Sequence, residues 1–218
     1  MTSTGSIADR FSPRRQAVLQ SAFEAFSART IEEVSMTDIA AACGLGVATL
    51  YRHFGTKLRL VIETAAMKWH EFSDEMDVNY RARGGLSMSA MEEYAFFLDT
   101  YIDLYANHQA LLRFDANFDL FILHQHAEHR DLDDYYASVQ RFAAKFATIA
   151  QKARADGTLN AAMMTDELYY SIMYTMLSTA QRFACGVLHP AGGMVMCMRI
   201  MHQQKEMFIR LVQPQPAE

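Results

Sequence analysis

Ser35-Met36-Thr37-Asp38-Ile39-Ala40-Ala41-Ala42-Cys43-Gly44-Leu45-Gly46-Val47-Ala48-Thr49-Leu50-Tyr51-Arg52-His53-Phe54 reads as two short helices joined by a tight turn. Ser35 and Asp38 have the S-x-x-D spacing of a capping box, which opens a helix running through Cys43. Gly44 supplies the left-handed residue that ends it. A second helix follows over about Val47 to His53. Ile39, Ala40 and Leu50 are small or apolar and let the pair pack closely, while Thr49, Tyr51, Arg52 and His53 form a polar outer face. Such a unit is a helix-turn-helix, whose second helix enters the major groove while the first supports it. Every base pair shows a distinct donor and acceptor pattern there, so Thr49 and Arg52 are expected to read bases, and Tyr51, His53 and Lys57 to hold phosphates.

Working outward, Ser12-Pro13 suits the start of a first helix that reaches about Ala28, with Leu19, Ala22, Phe23 and Phe26 on one face. Thr56 caps a long fourth helix whose apolar residues Leu58, Val61, Ile62, Ala65, Trp69, Phe72 and Met76 follow helical spacing, ending before Gly84-Gly85. Further helices are expected at about 87–107, 109–125, 131–155, 165–185 and 194–212. The Pro-Gln tail at 213–216 is expected to fray. With only four prolines and ten glycines in 218 residues, there is little of the turn punctuation that strands require, so the fold class is all-α. The chain is expected to divide into a helix-turn-helix DNA-binding domain at 1–57 and a helical domain at 58–218.

Charge supports that division. Residues 1–60 hold seven Lys and Arg against five Asp and Glu, a net of +2, and the remainder holds 13 against 20, a net of −7. An acidic body with a mildly basic head suits a protein of which one end approaches phosphate. No apolar run reaches the roughly 18 residues of a membrane span, and Met1 to Pro13 is too polar for a secretory signal, so a cytoplasmic protein without membrane association is expected. Cys43, Cys185 and Cys197 lack close pairing or CxxC spacing and read as reduced thiols.

The run Ile39 to Gly44, followed by Val47-Ala-Thr-Leu-Tyr-Arg-His-Phe54 and Lys57, resembles the tetracycline-repressor (TetR) family of bacterial regulators. The resemblance implies a nine-helix dimer: three helices bind DNA, a fourth links to the ligand domain, and the last two form a four-helix bundle with the partner. By motif position it implies that Thr37 opens the supporting helix near phosphate, that Val47, Ala48 and Thr49 begin the recognition helix, and that Tyr51, Arg52, His53 and Lys57 line the DNA. Arg14 and Ser35 complete the DNA-facing set. Val47 and Ala48 are apolar where many relatives carry a polar residue or glycine, which limits them to contacts such as a thymine methyl.

The body is rich in aromatic residues. Phe72, Met76, Tyr94, Phe97, Tyr101, Phe114, Phe118, Phe142, Tyr170 and Tyr174 are the candidates for a pocket that binds an apolar effector of unknown identity, with Asp115, Asp119 or Arg141 as polar anchors. Met173, Leu177, Met201 and Phe208 are the candidates for a homodimer interface. His124, His126, Glu128 and His129 form a conspicuous cluster, but helical spacing does not bring the imidazoles onto one face, so no metal and no cofactor is expected. The chain contains no GxGxxG, Walker, HExxH, GxSxG or CxxC motif, which argues against an enzyme. The function expected is a regulator, in the first place a repressor released from double-stranded operator DNA by a small apolar ligand. The alternatives are a ligand-independent or activating regulator and, far behind, a metal-dependent enzyme built on the histidine cluster.

Overall fold

The computed structural model describes residues 13–186 and 192–214. Ser12 and the end of the Pro-Gln tail lie outside them. Nine helices and no strand occur among the described residues: α1 Pro13–Ala28, α2 Met36–Ala42, α3 Val47–Phe54, α4 Lys57–Ala82, α5 Ala90–Asn107, α6 Gln109–His124, α7 Asp133–Asp156, α8 at 166–184 and α9 Gly193–Leu211. Helix α8 contains one π-helical turn over Met173–Leu177. Such turns interrupt the regular bonding of an α-helix and are frequent at functional sites. The chain packs as two compact units, one formed by residues up to His70 with 114–138, the other by 71–113 with 139–218.

In the first unit, α1, α2 and α3 pack around Phe26, Ile31, Val34, Ile39, Leu50 and Phe54, all fully or almost fully buried. Burying aromatic and branched side chains of this size supplies the main driving force for so small a head. Phe114 extends that core, lying 5.7 Å from Phe23 and 6.2 Å from Phe26 between ring centroids. The buried Asp115 carboxylate accepts a hydrogen bond from Trp69 Nε1 at 2.9 Å. A buried carboxylate without such a donor would be costly.

The second unit is centred on α5, whose Tyr94, Phe97, Leu98, Tyr101, Leu104 and Tyr105 are buried. Helices α8 and α9 pack against it. Tyr94 donates to the Phe208 carbonyl at 3.3 Å, and Lys205 donates to Asp99 at 2.6 Å. The start of α5 is capped twice. Ser89 and Glu92 form a capping box, while the Ala90 amide donates to Asp156 Oδ2 at 2.7 Å and the Met91 amide to Thr158 Oγ1 at 3.1 Å. The joint Asp156-Gly157-Thr158 therefore closes the free amides of a helix more than sixty residues away, and Gly157, at φ +67°, allows the turn that presents both side chains.

Candidate nucleic-acid interface

The two helices of the turn are fixed by local bonds. The Asp38 amide donates to Ser35 Oγ at 3.1 Å and the Ser35 amide returns a bond to Asp38 Oδ2 at 2.9 Å. These bonds hold the Asp38 carboxyl below its ordinary pKa, helped by Arg29 and Lys57. Gly44, at φ +63°, ends α2, and the Leu45 amide closes back on Ala40 at 2.8 Å. Along α3 the division of faces is sharp: Leu50 and Phe54 are 0% and 1% exposed, whereas Val47, Ala48, Tyr51, Arg52 and His53 face solvent and Thr49 is half-buried. Ser35 and Thr37 at the start of α2, and Arg14 on α1, are also exposed.

Arg15, absent from the residues singled out in the sequence, anchors α3. Its guanidinium donates to the His53 carbonyl at 3.1 Å, pairs with Glu63 at 2.5 Å and stands 4.2 Å from the centroid of the Phe54 ring. A cation bonded to a helix's last carbonyls also favours its dipole. The flanking pattern gives no hint of this, because the partner carbonyl lies 38 residues away. Lys57 is less free than a phosphate-binding lysine on an open surface. Its ammonium donates to the Glu32 carbonyl at 3.2 Å and lies 5.6 Å from the Phe121 ring centroid. Partial burial lowers its pKa, against the opposing influence of Glu32 and Asp38.

Described residues of the second unit line at least two cavities. The first, of about 190 Å³, is walled by α4, α5 and α7 through Met76, Tyr80, Phe96, Phe97 and Ile149, with Leu86 at its rim. Its charged groups are already paired: Lys145 with Asp77, and Glu93 with Tyr80 at 2.8 Å and Lys152 at 2.5 Å. Burial and the Glu93 contact push the Tyr80 hydroxyl up to about 12. The second cavity, of about 280 Å³, is lined by Phe72, Met76, Arg83, Phe96, Asp99 and Asp103 among others.

Of the pocket candidates, Phe72, Met76 and Phe97 line a cavity. Tyr94, Tyr101 and Phe142 are buried in the packing of the second unit and line neither. Phe114 and Phe118 belong instead to the core of the first unit, Phe118 lying 4.7 Å from Tyr135 between centroids. Tyr170 and Tyr174 are exposed, at 52% and 66%, and stack on each other at 6.5 Å. Among the polar anchors, Asp115 serves Trp69, and Arg141 pairs with Asp74 at 2.8 Å and Asp77 at 2.9 Å. Tyr80, Phe96 and Ile149 also line the first cavity, and nothing in helical spacing tells such a lining residue from its packed neighbours.

Among the interface candidates, Met201 is 0% exposed within its own chain. Met173, Leu177 and Phe208 are half-buried. The exposed apolar residues of these helices are instead Tyr170 and Tyr174 on α8, and Met194, Val195, Met207 and Leu211 on α9. His124 ends α6, where its Nδ1 lies 3.5 Å from Glu32, while His126 turns the chain at φ +49° and His129 packs on Tyr136 at 4.5 Å between centroids. Among the described residues these imidazoles do not converge on a common point.

Residues 18–64 match the family model described as bacterial regulatory proteins, tetR family. No curated protein matches the chain in sequence. Among solved structures the chain is similar to the ketosteroid transcriptional regulator KstR2 of Mycobacterium tuberculosis (TM-score 0.62, 16% identity, covering 94% of this chain and 97% of that one). It is also similar to the regulator FadR of Bacillus subtilis in complex with stearoyl-CoA (TM-score 0.63, 14% identity, 89% and 97%). A third similar structure is a regulatory protein of the tetR family from Rhodococcus RHA1 (TM-score 0.65, 14% identity, 94% and 100%). Residues 18–64 thus match the tetR-family model, and the chain as a whole shares the fold of those solved structures.

Proposed function

We propose that this protein is a homodimeric transcriptional repressor that acts on DNA in the cytoplasm, has no enzymatic role, and leaves its operator when a small apolar molecule enters the second unit. The observation that carries the reading is the two-faced α3: Leu50 and Phe54 are buried, and Val47, Tyr51, Arg52 and His53 are displayed. In this reading residues 1–57 contact the DNA, residues 58–218 carry the effector and the dimer contact, and Arg15 sets the height of α3 over the groove. Thr49 and Arg52 read bases, while Arg14, Ser35, Thr37, Tyr51 and His53 meet backbone. The test is selection of bound fragments from random DNA by the purified protein. A palindrome with half-sites about one helical turn apart is expected, bound with strong salt dependence. Recovery of DNA with no shared sequence would overturn the reading.

Lys57→Ala is expected to weaken binding to all sequences and to reduce the slope of log K against log salt by about 0.9 for each phosphate it no longer neutralises. Because Lys57 also bonds the Glu32 carbonyl, melting of the free protein must be recorded beside it. A variant with unaltered salt slope would restrict Lys57 to the structural role.

The first cavity supports an apolar effector, since its charged groups already have partners and a charged ligand would have to displace them. FadR of Bacillus subtilis, a protein of similar fold solved in complex with stearoyl-CoA, supports a regulator that responds to a bound ligand. Compounds that raise the melting temperature are expected to lower operator affinity, and DNA must lower theirs by the same factor, a coupling of about 1–3 kcal/mol. Phe97→Trp, which fills the cavity, is expected to abolish that thermal shift. Stabilising compounds that leave operator affinity unchanged would refute induction.

A further inference from the structure

Glu75 on α4, Asp103 on α5 and His108 at the end of α5 meet in the second unit, each offering a ligand atom, all within 4.8 Å of one another. His108 Nε2 lies 3.7 Å from Glu75 Oε1 and 3.5 Å from Asp103 Oδ2. That nitrogen is shielded from solvent and has no hydrogen-bond partner among the described residues. A buried polar atom left in this way calls for an explanation. Charge-assisted N–H···O bonds close to about 2.7–2.9 Å, so neither carboxylate is hydrogen-bonded to the imidazole. Donors bound tetrahedrally at about 2.1 Å to one divalent ion would stand about 3.4 Å apart, close to the spacing found around Nε2.

The surroundings orient these donors. Asp103 Oδ1 accepts a hydrogen bond from Asn107 Nδ2 at 2.6 Å, one helical turn on, which leaves Oδ2 toward His108. The His108 ring stands edge-on to Phe72, 5.0 Å between centroids. Holding a ligand carboxylate and a ligand imidazole from behind is how proteins fix metal geometry. Asp103 and Phe72 also line the larger cavity, so the site opens on a space that a further ligand could occupy.

We propose that Glu75, Asp103 and His108 bind a single divalent transition-metal ion, with its remaining position open to water or to a donor group in that cavity. One imidazole and two carboxylates suit zinc, nickel or cobalt, whereas magnesium and calcium prefer all-oxygen sites. This site stands independently of the DNA-binding reading, and its test needs no DNA.

The full chain, freed of metal by a chelator, is titrated with Co²⁺ and the visible absorption of the bound ion is recorded, followed by calorimetric titration with Zn²⁺. One tight equivalent per chain is expected. His108→Ala and Asp103→Asn are expected to weaken it by about a hundredfold or more, and Asn107→Ala by about 10–100-fold. Glu75, exposed at the surface, provides the variant Glu75→Gln that tests the site without threatening the fold. A triple His124→Ala, His126→Ala, His129→Ala variant is expected to keep the tight equivalent. The proposal is overturned if folded Glu75→Gln and His108→Ala bind Zn²⁺ as tightly as the natural chain, or if tight binding disappears with the triple variant.

Discussion

Replacing both Tyr170 and Tyr174 with lysine is expected to convert the protein to a monomer and to drop operator affinity to that of non-specific DNA. These side chains stack on each other at the surface of α8, Tyr174 within its π-helical turn, and α9 adds exposed Met194, Val195, Met207 and Leu211. Apolar residues concentrated on the last two helices are what a covered face requires. Two ammonium groups placed on such a face would be buried against their own copies in a symmetric dimer, where unpaired charge is costly. Because Tyr170 and Tyr174 are largely solvent-exposed in the chain itself, the substitution leaves the core alone, which a charge at the fully buried Met201 would not do. A single helix-turn-helix reads too few bases for a specific site, so removing the second copy should erase the roughly 10³–10⁷-fold preference that separates specific from non-specific binding. Sedimentation velocity and fluorescence anisotropy on labelled operator check the two halves of this expectation. A natural chain already monomeric at micromolar concentration, or a lysine variant that stays dimeric, would refute the interface.

The second large effect is expected at Arg52. It lies on the displayed face of α3, one position from Tyr51 and opposite the buried Leu50 and Phe54. If the guanidinium reaches base edges, each contact discriminates by about 1–3 kcal/mol, and two-fold symmetry applies the loss in both half-sites. Arg52→Ala should then relax the preference at one position of each half-site while leaving the others intact. Selection from random DNA with the variant and the natural chain shows the difference directly. A uniform fall in affinity with unchanged base preference would assign Arg52 to phosphate. Tyr51→Ala serves as the contrast, since a backbone contact lowers affinity across all sequences.

What was legible in the sequence is what depends on residues a few positions apart. The capping box at Ser35 and Asp38, the glycine that ends α2 and the amphipathic spacing of α4 all act within one or two helical turns, so their residue types specify the outcome wherever the helices later pack. The two-faced α3 follows from the same periodicity, which is why its outward residues could be named in advance. Tertiary structure alone decided the rest. Tyr94 and Tyr174 are the same residue on helices of similar pattern, yet one is 0% exposed and the other 66%, because that depends on which helix lies against which face. Arg15 meets the His53 carbonyl, and Asp156 caps α5, only because folding brings together groups 38 and 66 residues apart. Glu75, Asp103 and His108 share no sequence motif, while the histidines that do cluster in sequence, at 124–129, are spread by the end of one helix and the start of a turn. Apolar side chains of similar size are interchangeable in driving helices together, so they leave little record of the relative rotation of each helix, and it is that rotation that sets which polar groups meet.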